Sequence, residues 1–302
     1  MIPPGNNSPF SFHLAGIVPV HAQELSFDVP WHPCLMPIDD GYNLAQRSIV
    51  ECAYAGCETI WLVCNNDIAP LVRLQIGDYV QDPLYFYRGK SPKPTDEQKK
   101  IPIFYVPMHP NDRNRRDSLG WAALYGAYTS YLVSKQLSKW VIPNKYYVSF
   151  PYGVYDPKIP YQYRKRISSR DKFVLSHKGM TVQQDKYLSF TFDAHDFIEC
   201  RKHVRSKGTL LYDGKLNEKG MPRQKLPINE RYSGRYFPLS EVFCNADLED
   251  AHRIEIDNYH KILNWDDYKL YLESDNKISK PQHNWFVKNL YKKSLLYPDL
   301  FE

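Results

Sequence analysis

Leu14-Ala15-Gly16-Ile17-Val18-Pro19-Val20, then Asn43-Leu44-Ala45-Gln46-Arg47-Ser48-Ile49-Val50-Glu51-Cys52-Ala53-Tyr54-Ala55-Gly56, then Thr59-Ile60-Trp61-Leu62-Val63-Cys64 read as strand, helix, strand. Asn43 is a suitable N-cap, Leu44, Ile49, Cys52 and Ala53 form an apolar stripe, and Gly56 sits where a left-handed residue ends a helix. The second strand is a continuous apolar run, as expected of a parallel strand covered on both faces. Such an opening sets backbone amides at the end of its first strand, where a glycine-rich loop approaches phosphate closely. Here that loop is His21-Ala22-Gln23-Glu24-Leu25-Ser26, without a glycine.

The same alternation continues outward. Residues 82–100 read as a Pro- and Lys-punctuated loop, 101–108 as a buried strand with Pro102 at its start, 118–138 as a helix and 145–150 as a third buried strand. This order predicts an α/β fold with a mostly parallel, doubly wound sheet. In such sheets ligands bind beyond the carboxyl ends of the strands, so residues 19–25, 108–118 and 151–156 are expected to face one crevice. Further on, 172–177, 187–192 and 252–257 read as strands and 194–205 and 265–274 as helices, with an excursion loop over 208–228. Asp193 or Asp196 is the expected cap of the 194–205 helix, and Asp39-Asp40-Gly41 a turn. The organisation is an N-terminal tail over 1–13, one α/β domain over 14–275, and a tail over 276–302 with an amphipathic helix near 285–295.

A chain of 302 residues can bury a sizeable core, and 43% hydrophobic with 24% charged residues is ordinary for a globular protein. Its 24 tyrosines are not ordinary. They suit a large interaction surface, a groove that stacks sugars or bases, or a tyrosine-rich core. The net charge of +5 is mild, and its most basic stretch, residues 161–170, reads as a solvated loop. No nucleic-acid-binding motif accompanies the charge. The six cysteines show no metal spacing and read as reduced core residues. No apolar run approaches the ~20 residues a membrane span needs, and no signal peptide is evident, so the expectation is a cytoplasmic protein that does not engage membranes.

Taken in order, several segments resemble the sugar-phosphate nucleotidylyltransferase family, whose fold is of the GT-A-like, Rossmann-like type. Pro30-Trp31-His32-Pro33-Cys34-Leu35-Met36-Pro37-Ile38 stands for the family's Pro-Lys-Pro-Leu-Leu-Pro-Ile segment. The run from Glu51 to Val63 resembles its helix ending in Ala-Gly followed by an Ile-Trp-Leu-Val strand. Ser118-Leu119-Gly120-Trp121-Ala122-Ala123 resembles the start of the helix that contacts the nucleobase, and Ser149-Phe150-Pro151-Tyr152-Gly153-Val154 a strand ending in Gly-Asp. Residues 259–268 resemble the closing Asp-Ile-x-Thr-Trp-Glu-Asp-Tyr motif.

The resemblance implies a nucleotide site at Val20, His21, Ala22, Gln23, Gly120, Trp121, Ala122 and Tyr152, and Arg113 and Arg116, on the loop before the second helix, are read as further phosphate-binding candidates. It also implies a Mg²⁺ ion held by two carboxylates, but those positions carry Tyr152 and Lys261. The arginine-bearing glycine loop is absent, and the family's lysine is His32. The expectation is therefore a degenerate nucleotidyltransferase-like protein with no metal ligands. Its partners would be a nucleotide or nucleotide-sugar, or a protein docked on the tyrosine-rich surface or the C-terminal helix. One alternative is an active nucleotidylyltransferase using Mg²⁺ at a rearranged site, with Asp156, Lys261 and His32 as catalytic candidates. Another is a structural protein of a viral particle.

Overall fold

The helix after the first strand forms for local reasons. The Asn43 side chain accepts from the Gln46 N–H at 2.9 Å while Gln46 Oε1 accepts from the Asn43 N–H at 3.0 Å, a reciprocal cap. Gly56, at φ 95°, stops the helix in the left-handed region. Beneath it Gly16 is obligatory: a Cβ there would lie 2.9 Å from Cys52 Sγ and 3.1 Å from Cys57 Sγ. One face of the first strand therefore meets this helix at van der Waals distance. The other face carries Ile17, packed against Gly126 of the long helix that follows.

The computed structural model describes residues 12–20, 25–83, 99–109, 112, 118–138, 141–208, 216, 218–221, 225 and 237–281. The elements in the first half are β1 (Leu14–Pro19), β2 (Pro37–Asp39), β3 (Tyr42–Asn43), α1 (Leu44–Ala55), β4 (Thr59–Val63), α2 (Ala69–Ile76), β5 (Tyr79–Gln81), β6 (Lys100–Val106), α3 (Leu119–Leu137) and β7 (Lys145–Val148). Then come β8 (Gly153–Val154), α4 (Ile159–Ile167), β9 (Phe173–Ser176), β10 (Phe190–Phe192), α5 (Ala194–Gly208), α6 (Leu239–Val242), β11 (His252–Glu255), β12 (His260–Lys261) and α7 (Trp265–Glu273). Eight strands form one sheet in the order β11-β9-β10-β7-β1-β4-β6-β5. β1 pairs in parallel with β4 and β7, and β4 with β6. β10 is antiparallel to both its neighbours, β11 is parallel to β9, and the short β5 closes the far edge antiparallel to β6. The mostly parallel α/β sheet expected from the alternation is present, with β10 and β5 as its reversed members.

Several local expectations need correction. Residues 161–170 are not a solvated loop: α4 runs to Ile167 and packs its buried Pro160 and Ile167 toward α1. The spacing of Pro160, Tyr163, Arg164 and Ile167 is helical, but the flanking cations hide it. Arg164 forks onto both oxygens of Asp82, at 3.1 and 2.8 Å, which ties the end of β5 to this helix. β6 is not buried throughout either, because only a three-residue strand lies beyond it. Phe104 is 36% exposed and stacks on Trp61 with ring centroids 4.4 Å apart. The helices expected over 194–205 and 265–274 are present, the first capped by Asp193, whose Oδ1 accepts from the His195 and Asp196 N–H groups. Most of the excursion loop and the C-terminal helix near 285–295 lie outside the described residues.

Much of the tyrosine excess is core. Tyr42, Tyr131, Tyr146, Tyr147, Tyr152, Tyr155, Tyr187, Tyr268 and Tyr271 are all buried. So are Cys34, Cys52, Cys57, Cys64 and Cys200, while Cys244 is exposed. Burial pushes the thiols of Cys64 and Cys200 up from 9.0 to about 12, and raises those of Cys34 and Cys52 as well. A raised folded-state pKa stabilises the fold below the unfolded value and is lost as pH climbs toward the folded one. Lys145 works the other way. Its ammonium donates to the carbonyls of Ser169 and Asp171, yet burial lowers it from 10.5 to about 8, so the fold gains from its deprotonation between those values. Four thiols outweigh one lysine, so stability is expected to fall from about pH 9 upward. Urea midpoints across the alkaline range check this, and Lys145→Met should steepen the fall.

Candidate functional site

The carboxyl ends of β1 and β7 and the small β8–β12 ladder meet at one end of the sheet. Val20 closes β1 by donating its N–H to Val63 O at 3.1 Å. Tyr152 is fully buried, and its hydroxyl donates to the Val20 carbonyl. The Tyr152 carbonyl accepts from the Ile262 N–H at 2.9 Å, and Lys261 pairs with Gly153 across the ladder. The Ser26 N–H reaches Leu263 O at 2.9 Å, so the chain returning from the loop after β1 joins the same group. Val20, Tyr152 and Lys261 are thus brought together, as the order of the segments predicts.

Their chemistry differs from that of a metal pocket. A Cβ at Gly153 would fall 1.8 Å from the Tyr187 carbonyl oxygen, so the backbones touch there and only glycine fits. The Lys261 ammonium then lies 5.2 Å from the centre of the Tyr187 ring, a cation–π contact. A charged ammonium has no lone pair, and a phenol that donates to a carbonyl offers no anionic oxygen. This pair does not fit the Mg²⁺ the resemblance implies. Among the described residues no three His, Cys, Asp or Glu side chains are grouped to hold a metal ion.

The other candidates are dispersed. His32 caps the turn Pro33–Leu35 by accepting from the Cys34 N–H. Asp156 accepts from the Lys158 N–H at 2.9 Å and lines a separate hollow of about 350 Å³ with His260 and Asp275. In the ladder His260 pairs with Val154 and Lys261 with Gly153, which puts His260 and Lys261 on opposite faces. Asp156 and Lys261 therefore do not form the joint site of the rearranged-metal alternative. Gly120 and Ala122 lie in the first turn of α3, behind the Ser118 cap. A Cβ at Gly120 would lie 2.8–3.2 Å from Val242, so this glycine is explained by packing against α6. Ala122 is fully buried and Trp121 nearly so, which leaves little of this turn for a nucleobase. His21, Ala22, Gln23, Arg113 and Arg116 lie outside the described residues.

The residues that hold this end of β7 are ones the sequence reading passed over. Arg47 and Glu51, one turn apart on α1, are both 0% exposed and paired at 3.0 Å. Glu51 also accepts from Tyr147 Oη at 2.6 Å, Ser149 Oγ at 2.6 Å and Tyr155 Oη at 2.8 Å. Arg47 donates to Phe150 O at 3.0 Å and Ser149 Oγ at 3.3 Å, and its guanidinium stacks 4.5 Å from the Tyr155 ring. Burial first, and then the Glu51 charge, push the phenols of Tyr147 and Tyr155 well up. A signal was present: Leu44, Arg47, Ser48, Glu51, Cys52 and Ala55 share one helical face, so an Arg–Glu pair falls in the stripe that faces the sheet.

No family profile and no curated protein sequence matches the chain. Solved structures do. A chain assigned as a glucose-1-phosphate thymidylyltransferase of Bacillus anthracis, in complex with a sucrose, superposes with a TM-score of 0.51 at 8% identity, covering 89% of this chain and 98% of that one. A UDP-glucose pyrophosphorylase with bound UDP-glucose has a TM-score of 0.47 at 11% identity, over 93% of this chain and 100% of that one. The protein has a nucleotidyltransferase-like α/β fold. Among the described residues, no helix is long and apolar enough to cross a membrane.

Proposed function

We propose that this protein is a catalytically degenerate member of the nucleotidyltransferase-like fold that acts as a scaffold rather than in metal-dependent nucleotidyl transfer. The observation that carries the proposal is Tyr152. Where the resemblance calls for a solvent-facing carboxylate, a fully buried phenol is bonded to the end of β1. The Arg47–Glu51 pair supports it, because an internal guanidinium already satisfies the Phe150 carbonyl and Ser149 hydroxyl beneath this loop. A second reading, metal-independent binding of a nucleotide or nucleotide-sugar, is favoured by Asn65. This residue follows β4 on the crevice end, is 2% exposed, and its Oδ1 has no hydrogen-bond partner among the described residues. A buried acceptor left unpaired costs about 1–3 kcal/mol, which a ligand donor would recover.

Thermal unfolding with nucleoside triphosphates and nucleotide-sugars, with and without Mg²⁺, separates these readings. A scaffold should show no shift with any of them. A Mg²⁺-independent shift that Asn65→Ala abolishes supports the second reading. A ligand at 100 times its Kd stabilises by about 2.7 kcal/mol, and a shift of that size that requires Mg²⁺ would overturn both.

A further inference from the structure

Gly56 ends α1 with the two main-chain bonds of a Schellman stop. Its own N–H donates to Ala53 O at 3.2 Å, and the Cys57 N–H reaches back to Cys52 O at 3.1 Å. This geometry turns the residue just past the glycine toward the residue four positions before it, where an apolar contact usually closes the turn. Here both positions are cysteine. Cys52 and Cys57 are 0% exposed, and a hydrogen bond joins their thiols. Both sulfurs rest on the same point of β1: a Cβ at Gly16 would lie 2.9 Å from Cys52 Sγ and 3.1 Å from Cys57 Sγ. The missing side chain of Gly16 thus makes the room that the two sulfurs share.

We propose that Cys52 and Cys57 are a redox pair, joined by a disulfide when the chain meets a low-molecular-weight disulfide such as oxidised glutathione. One protein thiolate attacks the S–S bond of the oxidant, forming a mixed disulfide and releasing one glutathione thiolate. The second protein thiolate attacks the protein sulfur of that mixed disulfide and releases the other. Two protein thiols lose two electrons, the oxidant is reduced to two thiols, and the two protons pass to the released thiolates. A disulfide spans Cα separations of ~4.4–6.8 Å, and the main-chain bond of the stop already holds these two residues together. Burial keeps the Cys52 thiol protonated and out of reach in the folded chain, so exchange passes through molecules in which the last turn of α1 is open. The product clasps the end of the helix that carries Arg47 and Glu51, and so tightens the support beneath the end of β7.

The test refolds the full chain from urea in buffers of rising oxidised-to-reduced glutathione ratio and quenches with iodoacetamide in urea. Chymotrypsin, which cuts after Tyr54, then separates the two cysteines for mass mapping. Peptides linked through Cys52 and Cys57, lighter by two hydrogens than their thiol forms together, should appear at a lower ratio than any link that involves Cys34, Cys64 or Cys200. The oxidised parent should show a higher urea midpoint than the reduced parent, because the closed loop restricts the unfolded chain, and Cys57→Ala should erase the difference. Alkylation of both cysteines in the most oxidising buffer overturns the proposal. So does preferential pairing of either one with another cysteine, or a midpoint that oxidation does not raise. Should Cys57→Ala fail to fold, the linkage map and the two midpoints of the parent decide the matter.

Discussion

Replacing Arg47 with methionine is expected to destabilise the protein by about 3–5 kcal/mol, the usual cost of removing one partner of a buried ion pair. The side chains of Arg47 and Glu51 are both 0% exposed, so no water screens the charge left behind. Glu51 would keep its three hydroxyl donors from Tyr147, Ser149 and Tyr155, but lose its counter-charge. The Phe150 carbonyl would lose the shorter of its two donors at the same time, keeping only the Gly153 N–H at 3.3 Å. Glu51→Gln should cost less, because an amide of the same shape retains part of the hydroxyl bonding and leaves a cation that still has carbonyl acceptors. The Arg47→Met, Glu51→Gln double variant removes both charges, and should be less destabilised than the two single effects summed. Urea unfolding of the four proteins gives that coupling directly. A loss below about 1 kcal/mol for Arg47→Met would mean that water reaches the pair and that it does not lock the strand end.

What could be read in the sequence followed from how local its cause was. α1 was legible from Asn43 and Gly56, whose capping roles depend on residues three or four positions away. β1 and β4 were legible because a central parallel strand is apolar on both faces. α4 was not, because its apolar positions are interleaved with Arg164, Lys165 and Arg166, and the pairing of Arg164 with Asp82 spans two elements distant in the chain. The alternating exposure of β6 depended on its being next to a short edge strand, a fact of tertiary arrangement. At the site, the order of segments located Tyr152 beside Lys261. That Gly120 packs against Val242, and that Tyr152 points inward to Val20, are contacts no spacing along the chain encodes.

Tyr152→Asp, offered as a restored metal ligand, is expected to destabilise the protein by about 3–5 kcal/mol, the range for emptying a large buried aromatic site. It should also fail to produce Mg²⁺-dependent pyrophosphate release from a nucleoside triphosphate and a sugar phosphate. The reason lies in Tyr152 itself, which is fully buried and whose hydroxyl ties the end of β1 to the loop after β7. An aspartate is too short to keep that bond, leaves a cavity, and has its carboxyl in an environment that favours the protonated form, which is a poor metal ligand. Lys261→Asp alone is expected to be mild, within about 1 kcal/mol, because Lys261 is exposed and its contact with Tyr187 is a surface cation–π pair. The double variant should therefore unfold like Tyr152→Asp and turn over no faster than the parent. Turnover by the parent itself at about 1–10³ s⁻¹ with Mg²⁺ required would remove the degenerate reading altogether. The ligands would then have to come from outside the described residues, because Asp156 opens into the hollow on the His260 face of the ladder and not toward Lys261.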